Sequence, residues 1–136
     1  MVITLAMARK MRDAAIKYAK EIGKLCSIAI VDDDGRLIAL YRMDHAPIAT
    51  ADIAWSKAWT AAAFKLPSSE IYKFGNASMP GFGFNTANWN DRLTAIAGGL
   101  PIKDGDKVVG GIGVSGGTPE EDVIICQEAI KSTGIE

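Results

Sequence analysis

The sequence predicts an α+β domain in which helices pack on an antiparallel sheet. Two β-rich apolar runs, 27–31 and 37–43, flank the cluster Asp32-Asp33-Asp34-Gly35-Arg36, which is a hairpin signal. Apolar residues recur at helical spacing between Thr4 and Lys24, and a capped helix closes the chain from Pro119 to about Ser132. Hairpin-type links between strands argue against a doubly wound parallel sheet, which needs a helical crossover between neighbouring strands.

The first helix carries Ala8, Met11, Ala15, Tyr18, Ala19 and Ile22 on one face, with most of its Lys and Arg residues on the other. Thr4 is its expected N-cap and Gly23 its stop. After the hairpin comes an alanine-rich helix, Ile48 to Phe64, ended by Pro67. Small residues on most of its faces fit close packing on a sheet or a place at a subunit interface. Ser68 is expected to cap a third, short helix running to about Asn76. From Ala77 to Asn90 no period survives, and a long irregular loop in a small domain is often functional. Three further strands are expected at Arg92–Ala97, from Leu100 through Ile102, and from Lys107 to Val114. Thr118, Pro119 and Glu121 then form a capping box with proline at the first helical position. The predicted order is α-β-β-α-α-loop-β-β-β-α.

The chain has 136 residues, which fits one domain over 1–136. Its net charge of −1 lacks the basic excess that phosphate neutralisation requires, so no nucleic-acid partner is expected. No basic run attracts an anionic membrane surface, and no apolar stretch approaches the roughly 20 residues that span a bilayer. The N-terminus lacks the charge order of a signal peptide, so a cytoplasmic location is expected. Cys26 and Cys126 both sit in apolar sequence and read as buried thiols.

Gly111-Ile112-Gly113-Val114-Ser115-Gly116 matches a dinucleotide phosphate loop. The glycines lie within a strand instead of after it, and the following helix opens with Glu120, Glu121 and Asp122, which repel phosphate. A structural role follows: bare backbone that lets a helix or a flat ligand lie against the sheet. The Asp32–Asp34 run reads as a solvated turn, because a calcium loop needs a distant bidentate Glu.

Arg42, Asp44 and His45 cluster where a strand gives way to a helix. His45 is the sole histidine, which excludes a multi-histidine metal site but leaves a single acid/base or an axial haem ligand. An exposed turn histidine is the plain alternative. Lys57 lies inside the alanine-rich helix, where it either reaches water, meets a buried carboxylate or binds an anion. Two ligand readings follow. In one, Arg42, His45 and Lys57 grip carboxylates of a small organic ligand or tetrapyrrole, while Phe82 and Phe84 cover an apolar face. Asp44, Pro80 and Asn85 complete that set. In the other, a cofactor-free enzyme acts on a small carbonyl or carboxylic acid with His45 or Lys57 as acid/base. A third reading is purely structural, with the alanine-rich helix and the aromatic loop forming subunit contacts.

Four stretches resemble the GlcG/HbpS-like family, which includes the C-terminal domain of PduO and OrfY. They are Arg42-Met43-Asp44-x-Ala46, Asp52-Ile53-Ala54-x-x-Lys57-Ala58-x-Thr60-Ala61, Gly98-Gly99-x-Pro101-Ile102 and Val109-Gly110-x-Ile112-Gly113-Val114-Ser115-Gly116-Gly117. The resemblance implies a five-stranded antiparallel sheet flanked by helices and a homo-oligomer, from dimer to octamer. It also implies small-molecule binding, in some members of haem, and a link to small-acid or diol metabolism. The family position matching His45 is commonly glycine, so the imidazole is a departure of this chain.

Overall fold

A computed structural model of the chain describes residues 1–75, 77–80 and 90–135. The elements run α1 (Leu5–Glu21), β1 (Ser27–Asp32), β2 (Leu37–Arg42), α2 (Ala49–Phe64), a 3-10 helix (Ser68–Gly75), β3 (Gly99–Asp104), β4 (Lys107–Ser115) and α3 (Pro119–Lys131). Thr4 caps α1 by accepting the Met7 N–H, and Thr118 and Glu121 form the expected capping box on α3. Asp32 organises the hairpin turn: its Oδ1 accepts the N–H groups of Asp34 and Arg36, each at 2.9 Å.

Among the described residues the sheet is antiparallel and four-stranded, in the order β2-β1-β4-β3. The expected fifth strand at Arg92–Ala97 is absent from it. The physical reason is that side chains have taken the backbone groups a ladder would use. Thr60 Oγ1 donates to the Arg92 carbonyl and accepts the Thr94 N–H, both at 3.1 Å. Ser68 Oγ donates to the Ile96 carbonyl at 2.7 Å and accepts the Gly99 N–H at 2.9 Å. Ser68 therefore pins this segment, where a helix cap was expected.

The two faces of the sheet are built differently. Ile28, Ile30, Ile112 and Val114 point to one face and pack with Met11, Ala15 and Ala19 of α1 and Ile125 and Ala129 of α3. Ala29 and Val31 point to the other and meet Ala54, Ala58 and Ala62 of α2. Opposite them in register stand Gly113 and Gly111. A β-carbon on Gly113 would run into the Ala54 carbonyl oxygen, and one on Gly111 would sit 2.5 Å from that of Ala58. The glycines of β4 thus let α2 lie backbone against backbone on the sheet. Ala54, Ala58 and Ala62 of α2 are consumed in this packing within the chain.

Candidate functional site

The C-terminal half of α1 and the exit of β2 meet over an open cavity of about 470 Å³. Ile16 and Lys20, one helical turn apart, come from α1. Leu25 enters from the link into β1, and Arg42, Met43, Asp44 and His45 come from the end of β2 and the turn after it. That turn is fixed by its backbone: the Ala46 N–H donates to the Met43 carbonyl at 3.0 Å. Met43 is tied back to the sheet edge as well. Its N–H donates to the Cys26 carbonyl at 3.0 Å, and its sulfur accepts the Cys26 N–H at 3.3 Å.

Chemically the cavity is amphipathic. Leu25, Ile16 and Met43 supply apolar wall, while Lys20 and Arg42 set two cations against the single carboxylate of Asp44. Such a lining suits a ligand with an apolar body and more than one acidic group.

Lys57 stands elsewhere. Its ammonium donates to the Val114 carbonyl at 2.8 Å and to Asp122 Oδ2 at 3.0 Å, and it is not among the residues lining this cavity. Asp122 Oδ1 accepts the Gly117 N–H at 2.9 Å. Burial raises the Asp122 carboxyl above its ordinary range, opposed by the ammonium of Lys57 and the Gly117 N–H. Of the expected site residues, then, Arg42, Asp44 and His45 come together and Lys57 does not join them. Pro80 is exposed in a turn. Phe82, Phe84 and Asn85 lie outside the described residues.

Ile16, Lys20, Leu25 and Met43 do not stand out in the sequence as site residues. Lys20 read as part of a solvated helix face, and nothing local connects it to a turn more than twenty residues away. In the sequence Asp122 reads only as a first-turn acid. Its burial was signalled weakly, by an acidic residue placed directly after a complete capping box.

A second cavity of about 440 Å³ lies along α2, lined in part by Asp52, Ser56, Asp91 and Arg92. The Arg92 guanidinium stacks on the Trp55 ring 3.6 Å from its centre and lies 3.8 Å from Asp52. Its charge balance is the reverse of the first, two carboxylates against one guanidinium.

The family model described as "Haem degrading protein HbpS-like" matches residues 3–131. The chain belongs to the HbpS-like family. An uncharacterized 15.0 kDa protein in the dhaT-dhaS intergenic region of Citrobacter freundii is 37% identical over 131 residues, covering 94% of this chain and 89% of the relative. The crystal structure of the Klebsiella pneumoniae protein ORFY is similar with a TM-score of 0.91 and 35% identity, over 97% of this chain and 90% of that one. The crystal structure of a PduOC:heme complex is similar with a TM-score of 0.92 and 25% identity, over 100% of this chain and 98% of that one. Of these relatives, PduOC is one crystallised with haem.

Proposed function

We propose that this HbpS-like chain binds a flat, amphipathic tetrapyrrole of the haem type in the cavity between α1 and the Met43–Ala46 turn. The observation that carries the reading is the pairing of an apolar wall with two cations around one opening. A haem-type ligand has an apolar ring and two carboxylates, and these residues fit both. The haem-bound PduOC relative supports the same reading. When bound, such a group supplies redox-active iron, while the chain supplies orientation and charge. The cavity beside Arg92 fits less well, because its carboxylates outnumber its cation. A shared acid/base role for His45 and Lys57 has less support, since Lys57 is held in an ion pair outside the cavity.

Titration with haemin and with iron-free protoporphyrin IX, followed by absorbance and tryptophan quenching, tests this. Both are expected to bind. Lys20→Ala and Arg42→Ala are each expected to weaken both ligands by up to about fivefold, the scale of one exposed ion pair. Failure of both porphyrins to bind, or binding indifferent to both substitutions, rules the reading out.

A further inference from the structure

His45 holds a left-handed backbone conformation that is uncommon for any residue with a β-carbon. Its φ is +68°, one of two positive values at non-glycine residues among those described. The left-handed region costs a residue with a β-carbon about 1–2 kcal/mol, whereas glycine enters it freely. A glycine would therefore serve the Met43–Ala46 turn better than the histidine found there. Among the described residues nothing offsets that cost: His45 is exposed and makes no hydrogen bond or ion pair with its imidazole. What the imidazole does is line the cavity.

Strained residues of this kind concentrate at ligand sites, and here the inference runs from the outlier to the function. The other soft donor at the cavity is engaged, since the Met43 sulfur accepts the Cys26 N–H. Among the lining residues, His45 alone offers a nitrogen lone pair suited to iron. We infer that His45 is the axial ligand to the iron of a haem-type group in this cavity, with Lys20 and Arg42 holding the carboxylates. The inference rests on the tetrapyrrole reading above but assigns a role that this reading does not need.

His45→Gly separates the two. The substitution removes the imidazole and relieves the turn, so the variant is expected to fold with an unchanged or higher Tm. With haemin, its Soret band should move away from the parent's position, and free imidazole should restore it. Affinity for iron-free protoporphyrin IX should stay within about twofold. His45→Asn, whose side chain also tolerates the left-handed region, should behave like the glycine variant. An identical haemin spectrum in parent and His45→Gly, with protoporphyrin IX still bound, overturns the ligand assignment and leaves the binding reading standing. Equal losses of haemin and protoporphyrin IX affinity also overturn it, because His45 would then be a packing contact. If the parent binds neither porphyrin, both the reading and the assignment fall.

Discussion

The Lys57 ammonium lies 3.0 Å from the Asp122 carboxylate, and the two side chains are only 2% and 3% exposed. The pair joins the middle of α2 to the first turn of α3 past the end of β4, where the Val114 carbonyl takes a second bond from the ammonium. Removing one member strands the other as a buried charge. Lys57→Met and Asp122→Asn are each expected to cost about 3–5 kcal/mol in urea unfolding. The double variant Lys57→Met/Asp122→Leu should cost clearly less than the sum of Lys57→Met and Asp122→Leu alone. Additive losses would show that the two charges do not act as a unit.

Gly113 makes a separate stability prediction. A β-carbon there meets the Ala54 carbonyl oxygen and lies 2.6 Å from the Ala58 nitrogen, both backbone atoms of α2. Gly113→Ala is therefore expected to destabilise by about 1–3 kcal/mol, the usual scale of overpacking. A variant as stable as the parent would mean that α2 can lift from the sheet without loss.

Both cysteines should be chemically quiet in the folded chain. Burial pushes the Cys26 thiol up to about 11 and the Cys126 thiol higher still. Cys126 also donates to the Gly98 carbonyl at 3.2 Å. Because the thiolate is the nucleophile, alkylation at pH 8 should be slow in native protein and complete at both sites in denaturant. Mass spectrometry reads this as no adducts against two, and rapid native labelling of either thiol would contradict the burial.

Glu121 adds a pH dependence. Its carboxylate accepts the Thr118 N–H at 2.8 Å, and that bond holds its carboxyl below the ordinary 4.5. A carboxyl lowered on folding stabilises the native state fully above its unfolded value. The contribution fades as pH falls through the lower, folded value. Parent and Glu121→Gln should therefore differ in Tm at neutral pH and converge in acid. A gap that stays constant with pH would mean the charge of Glu121 contributes nothing.

What the sequence disclosed follows the range of the interactions concerned. The caps at Thr4 and Thr118 and the Asp32 turn involve partners a few residues apart, so residue type and spacing were enough. The glycines of β4 were read correctly as bare backbone because the charge of the following helix argued against phosphate. The strand expected at Arg92–Ala97 failed for a long-range reason. Its β-like composition was overruled by hydroxyls 28 and 34 positions away in sequence, on Ser68 and Thr60. Lys57 stayed ambiguous because its partner lies 65 positions downstream. His45 stands out in the sequence as the lone histidine, but its unusual backbone angle belongs to the folded turn alone.

The glycine-bare face of β4 makes the sheet mechanically lopsided. On the α2 side, at Gly111 and Gly113, main chain rests against main chain with no side chain between to give way. On the α1 side the gap is filled by isoleucine and methionine side chains, which can change shape one at a time. The candidate cavity opens on this yielding side. If the proposed ligand enters there, the soft wall would yield before the stiff one, so displacement would fall on the last turns of α1 and the Met43–Ala46 turn. Occupancy would then be felt at one edge of the molecule while α2 keeps its place.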